Sequence, residues 1–197
     1  MSQFITIPLF PLNVVLFPGS LLPLKIFEQR YMEMTKICIR DNAAFGVCLI
    51  REGKEVGTPA IPCEIGCTAR ITHWDMPQTG LFHLQTQGET LFRIVEQSID
   101  HLGLIHAQVE LLPSSTPLAL PTHHLPLREL LVEIINKLGA ERFAQPHQFD
   151  DAAWVGYRLL EALPMRNPAK QHLLEQRDPL FTLDAISAFL EQHQVMP

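Results

Sequence analysis

The side chains with the most chemistry in this 197-residue chain are four cysteines and nine histidines. Cys48, Cys63, Cys67 and His73 lie close together in sequence, and thiolate and imidazole are the usual donors of a structural zinc site. Cys63 and Cys67 are separated by three residues, however, which is not the C-x-x-C of a zinc knuckle or redox pair. The same thiols, paired with His73, His83 or His106, would supply the nucleophile and base of a hydrolase. Nothing places a third orienting group or an anion hole beside such a pair. With Cys38, the four thiols sit in apolar or strand-like contexts that suit buried core cysteine.

His123 and His124 are adjacent in a proline-rich stretch, where neighbouring side chains do not converge on one helix face, so a solvated pair is expected. No glycine is followed at the required distance by Gly-Lys-Ser/Thr, and the only Gly-Lys, at 53 and 54, continues into Glu55, which excludes a phosphate-binding loop. G-x-S-x-G and H-E-x-x-H are absent as well. No metal and no cofactor is expected, and no residue is assigned a catalytic role.

Glu28 and Arg30 stand at the start of an amphipathic pattern. One reading is a carboxylate favoured by the helix dipole beside a solvated or paired arginine; the other is a buried ion pair that locks this helix to the sheet.

The elements that would carry these residues begin with IPLFPLNVVLFPGSLLPLKIFEQRY, residues 7–31. From Phe4 to Leu24 there is no charged side chain, a length that suits a membrane helix of ~20 residues. Pro8, Pro11, Pro18 and Pro23 exclude that reading, since each removes a backbone donor and clashes with the preceding turn. A secretion signal is excluded by the lack of a positive segment before the run and of a small-residue cleavage site after it. The run is therefore extended chain, with FITIPLF and LLPLKIF as strands, Pro18-Gly19 as a turn, and prolines confined to edges, first positions or bulges.

A helix is expected from Phe27 to Asp41-Asn42, on the spacing of Tyr31, Met34 and Cys38. Strands follow at 44–50, 63–74, 81–87, 91–99 and 104–112, with turns at 77–80, Gln87-Gly88 and Leu102-Gly103. Phe92, Ile94, Ile105, Ala107, Val109 and Leu111 would face inward, and Arg93, Gln108 and Glu110 outward. Short connections between such strands make an antiparallel meander that can curl into a barrel.

PSSTPLALPTHHLP, residues 113–126, reads as a linker between a β-rich domain at 1–112 and a helical domain at 127–197. The helical part shows an apolar face from Leu127 to Leu138 that stops at Gly139, then AAWVGYRLLEAL with Asp150 or Asp151 as cap. Asn167-Pro168 and Asp178-Pro179 each read as a capping side chain followed by proline at the first helical position. About four helices are expected, with Trp154, Leu160, Leu173, Leu183 and Ile186 in their core.

Pro11-Leu12, Phe17-Pro18-Gly19, Pro23-Leu24 and Glu28, Arg30, Tyr31 together resemble the opening of the Lon substrate-binding domain. This is the N-terminal region of ATP-dependent Lon proteases, which also occurs in shorter proteins without the protease. EIGCTARI, with Gly66 and Ala69, is similar to that family's G-[TC]-x-A-x-I strand. GETLFRIVE, with Gly88 and Arg93, is similar to its G-x-x-R-F-R-I strand, although Leu91 replaces the first arginine. The tract from Trp154 to the last helix is similar to the family's helical part, with Thr182 where an arginine is common.

The resemblance implies an α+β fold, a PUA-like antiparallel pseudo-barrel with one inserted helix followed by a helical subdomain. It also implies a standalone member lacking the ATPase and protease, because the chain stops at Pro197. The expected function is a non-enzymatic module that binds polypeptide segments or a partner protein, with Phe17, Pro18, Leu21 and Leu22 as contact residues and weak self-association through an open apolar edge. A thiol- or metal-dependent hydrolase is the alternative, and RNA binding a further one. The net charge of −6 divides evenly, with eight Lys/Arg against eleven Asp/Glu in residues 1–112 and seven against ten in 113–197, which opposes a nucleic-acid partner. Reduced thiols without a secretion signal place the protein in the cytoplasm, away from membranes.

Overall fold

The computed structural model describes residues 3–114 and 116–193. The chain divides into two compact units, Met1–Ser114 and Ser115–Pro197. The first contains β1 (Gln3–Leu12), β2 (Leu21–Ile26), α1 (Gln29–Asp41), β3 (Phe45–Glu52), β4 (Ile61–Pro62), β5 (Ile65–Gln78), β6 (Leu81–Ile99) and β7 (Ile105–Leu111).

Strands β1, β7, β6, β5 and β3 are bonded in that order, and β1 also pairs with β3, so the five close into a ring. Four of the ring's contacts are the antiparallel pairs a meander gives, but the closing β1–β3 pair is parallel, with Leu9 opposite Gly46 and Leu12 opposite Leu49. A parallel pair needs a long crossover, and β2 with α1 provides it. The closed ring packs Leu9, Cys48, Phe92, Ile105, Ala107 and Val109 into one core. Phe92 fits there because Gly46 and Gly66 carry no side chain: a Cβ on either would stand 2.7 Å from the Phe92 ring.

The prolines obey a subtler rule than confinement to edge strands. β1 lies inside the ring, yet residues 3–9 pair with β7 and residues 9–12 with β3, so apart from Leu9 each residue has a partner on one side only. Pro8 and Pro11 therefore sit in a strand with room for a missing donor, while Pro23 lies on β2, whose strand partner is β6.

Gln87-Gly88 is not a turn. β6 runs unbroken from Leu81 to Ile99, and Gly88 is buried within it. The glycine is needed because a Cβ at this position would collide with the carbonyl oxygen of Phe17. What reads locally as a breaker marks the close approach of another backbone.

In the second unit a 3-10 turn at Thr122–His124 leads into α2 (Leu125–Leu138), followed by α3 (Ala152–Ala162), α4 (Asn167–Gln176) and α5 (Pro179–Gln192). Asp151 caps α3 by accepting from Trp154 N–H at 2.7 Å, and Asp178 caps α5 through Leu180 and Phe181. α4 begins at Asn167 itself, with Arg166 in the cap position. The proline-rich stretch is bonded rather than loose: Ala152 N–H donates to Leu118 O, and Leu120 N–H to Asp150 O, both at 2.8 Å.

Leu160, Leu173, Leu183 and Ile186 are buried, whereas Trp154 is only half-buried, its ring edge-on to Phe149. The core instead takes Arg158, fully buried on α3 and held by both oxygens of Glu161 at 2.9 Å. Thr182 on α5 faces Gly156 on α3, where an added Cβ would meet the Thr182 methyl at 3.2 Å, so two small residues let these helices approach.

Replacing Gly88 with alanine is expected to lower the stability of the β-rich unit by about 3 kcal/mol, because the Phe17 carbonyl must move. The urea unfolding midpoint followed by tyrosine and tryptophan fluorescence measures it, and an unchanged midpoint would contradict the assigned contact.

Candidate functional site

The expected contact residues begin with the turn before β2. Phe17 N–H donates to Ser20 Oγ at 3.3 Å, Ser20 N–H donates to Phe17 O at 3.0 Å, and Gly19 takes a φ of 77°, a left-handed value that favours glycine. This turn is fastened to β6 by Gly19 N–H to Gly88 O at 2.8 Å and Gly88 N–H to Ser20 O at 2.9 Å. Phe17 is 1% exposed, so its ring belongs to the core and offers no contact surface. Pro18 and Leu22 are half-buried and Leu21 is 40% exposed, which leaves these three at the surface.

The fastening also decides which backbone groups of β2 face outward. Ser20 and Gly88 face each other through a bonded position, so Leu22, Leu24 and Ile26 bond to β6, and Leu21, Pro23 and Lys25 turn their backbone groups away. Pro23 thus costs the ladder nothing. Among the described strands β2 has β6 alone as partner, leaving the Leu21 and Lys25 N–H groups and three carbonyls along its outer side.

Beside that margin lies a cleft of about 190 Å³ lined by Pro23, Leu24, Lys25, Ile26 and Phe27, by Phe10 and Leu12 of β1, by Glu28 and Tyr31, and by Glu55 and Val56 of the loop after β3. Its floor is apolar and buried. Phe27 and Val56 on its rim are 58% and 57% exposed, with the carboxylates of Glu28 and Glu55 nearby. On the sheet face that carries Leu24, β6 contributes Phe82 and Leu84 and β5 adds Trp74, whose ring meets Phe82 edge-on at 6.0 Å. Trp74 and Met76 are both exposed.

α1 sets the floor. Arg30 is 4% exposed, 2.9 Å from Glu28 Oε2, and it donates to Gly103 O in the β6–β7 turn at 3.2 Å while lying 4.6 Å over the Tyr31 ring. Arg30 is the buried half of a pair, with Glu28 partly exposed, that joins helix to sheet. Glu28 occupies the N-cap position but its side chain caps nothing, being taken by Arg30. Tyr31 is thereby held against Phe10, ring centroids 4.1 Å apart, and burial pushes its hydroxyl up to about 12 despite the neighbouring guanidinium. Gly66 and Ala69 lie buried in β5, and Arg93 faces outward 3.8 Å from Glu110, so these motif residues build the barrel.

Phe27, Val56, Trp74 and Met76 escape sequence reading. A signal exists for the last two, since THWDMPQ sets a Trp and a Met two apart in a polar hairpin tip, where one exposed face carries both.

Cys48, Cys63 and Cys67 come near one another, but without His73, His83 or His106 beside them. Cys38, Cys48 and Cys67 are buried, and His73 is exposed on β5. Burial pushes the Cys38 thiol up to about 11 and raises that of Cys48 further, which suppresses the thiolate a nucleophile requires. His123 and His124 are not a solvated pair: His124 is 4% exposed, with Nε2 3.1 Å from Asp184 Oδ1. The 3-10 turn, which a helical-wheel argument does not anticipate, brings both rings to one side of the unit. No helix among the described residues is long and apolar enough to cross a membrane.

Residues 6–192 match the family model for the ATP-dependent protease La (LON) substrate-binding domain. The Lon protease of Paraburkholderia phytofirmans is 28% identical over 182 residues, covering 88% of this chain and 22% of that protein. Lon protease 2 of Myxococcus xanthus is 31% identical over 133 residues, 66% of this chain and 16% of its own length. Among solved structures, the Lon N-terminal domain protein from Xanthomonas campestris superposes with a TM-score of 0.78 at 31% identity, covering 93% of this chain and 98% of that one. The N-terminal domain of the Mycobacterium avium complex Lon protease, at 13% identity and a TM-score of 0.66, shares the fold.

Arg30→Ala is expected to cost about 3 kcal/mol in chemical denaturation, because Glu28 and the Gly103 carbonyl lose their partner, and Glu28→Gln distinctly less because Glu28 is partly solvated. Equal losses would remove Arg30 from its central place. In the native protein at pH 8 a thiol probe is expected to label Cys63 alone, with all four cysteines reacting in denaturant. Rapid native labelling of Cys48 would contradict its burial.

Proposed function

Because the chain belongs to the family of the ATP-dependent protease La (LON) substrate-binding domain, we propose that its β-rich unit is a non-enzymatic module that holds an extended polypeptide segment. The chain spans 22% and 16% of the length of the curated Lon relatives it matches, so what those whole proteins do is not carried over. The observation that carries the reading is the unpartnered side of β2 running beside an apolar cleft. An added strand would bond to the outward groups of Leu21, Pro23 and Lys25, while its alternate side chains enter the cleft between Leu24, Phe27 and Val56. Main-chain bonds make such capture tolerant of sequence, as recognition of unfolded chains requires.

The same margin is the natural place for weak self-association. The raised thiols of Cys38 and Cys48 support a binding role over a thiol hydrolase, and the acidic balance supports a protein partner over RNA. Four free cysteines support a cytoplasmic setting.

The test is fluorescence anisotropy with a labelled, permanently unfolded model substrate such as reduced, carboxymethylated lactalbumin. Saturable binding to the full chain is expected, weakened at least about tenfold by the pair Phe27→Ser and Val56→Ser, which strips the rim of its exposed apolar area. Lys25→Pro, which removes one outward donor, is expected to weaken it as well. No binding by the unaltered chain, or binding indifferent to all these changes, would refute the reading.

A further inference from the structure

A second site lies in the helical unit, built from the 3-10 turn that starts α2 and from α5. His123, His124 and Asp184 each offer one ligand atom, and the three atoms lie within 4.8 Å of one another. We propose that these residues form a binding site for a first-row divalent cation of the zinc class.

The argument starts from His124. Its ring is buried, and Nε2 has no hydrogen-bond partner of acceptable geometry, although Asp184 Oδ1 stands 3.1 Å away. A buried ring nitrogen beside a carboxylate oxygen is a pairing that a bound cation can satisfy by taking a lone pair from each.

The remaining ligands have the freedom that closing a coordination shell requires. Tetrahedral bonds of about 2.0–2.1 Å place ligand atoms roughly 3.3–3.4 Å apart. The His124–Asp184 separation of 3.1 Å is close to that spacing, and His123 and Asp184 are both exposed and able to swing inward. Two imidazoles and a carboxylate form the borderline-hard donor set that zinc, cobalt(II) and nickel(II) accept, and that magnesium and calcium do not favour. The start of α2 opposes a cation through its dipole, and the Asp184 charge offsets it. Three protein ligands leave a fourth position for water or a partner's side chain. Filling the site would tie the entry of α2 to α5 and so brace the helical unit.

The full chain, stripped with chelator, is titrated calorimetrically with Zn2+ alone, alongside His123→Ala and Asp184→Asn, two surface changes that leave the packing intact. One equivalent is expected for the unaltered chain, with affinity reduced at least about tenfold in each variant. Co2+ should produce a visible band in the unaltered chain that both variants lose, and Zn2+ should raise the melting temperature of the unaltered chain only. Absence of binding, or equal affinity and an unchanged cobalt spectrum in the variants, would overturn the proposal.

Discussion

Two backbones touch at Gly88, and the rest of the β-rich unit follows from that contact. The Phe17 carbonyl occupies the space a side chain on β6 would need, which brings Gly19 and Ser20 within bonding distance of Gly88. The register of β2 on β6 is thereby fixed at its first residue. A slip by one position would turn Leu22, Leu24 and Ile26 to the opposite face and place Pro23, which has no donor, at a bonded position of the ladder. Glycine on one strand and proline on the other thus specify the same alignment by different means.

Arg30 provides a second fastening of another kind. Taking a guanidinium out of water is costly, and Glu28, the Gly103 carbonyl and the Tyr31 ring offset that cost without making the assembly stronger than apolar packing would. Its contribution is geometric. The three partners come from the chain entering α1, from the turn after β6 and from α1 itself, so one side chain fixes the helix against the sheet and holds Tyr31 beneath the cleft.

Features governed by local pattern were legible in the sequence. Alternation placed Phe92, Ile105, Ala107 and Val109 inside, and the aspartates before α3 and α5 announced those helices, because period and capping depend on near neighbours. What escaped depends on contacts distant in the chain. Gly88 resembled a turn because the Phe17 carbonyl that requires it lies about seventy residues away. The parallel β1–β3 pair escaped because the crossover contains its own strand. His124 looks like a surface residue until Asp184, sixty residues on, is brought beside it, and Arg158 until α3 is covered by the rest of its unit. Phe27 and Val56 escaped because exposure of an apolar side chain is settled by what fails to cover it.

The placement of the candidate site follows from the unequal lengths of the strands. β6 spans Leu81–Ile99, but β7 pairs with it only from Phe92 onward, and the ring of five strands needs nothing more. The earlier half of β6 extends past that closure, and β2 joins it there from outside the ring. A closed ring has no edge to offer, so it keeps the core sealed whatever the appended strand does. β2, which has β6 alone as partner among the described strands, is therefore a strand whose outer margin carries little of the fold. A sheet that curled shut with β2 as a member would gain hydrogen bonds and lose the margin on which a second chain can be laid.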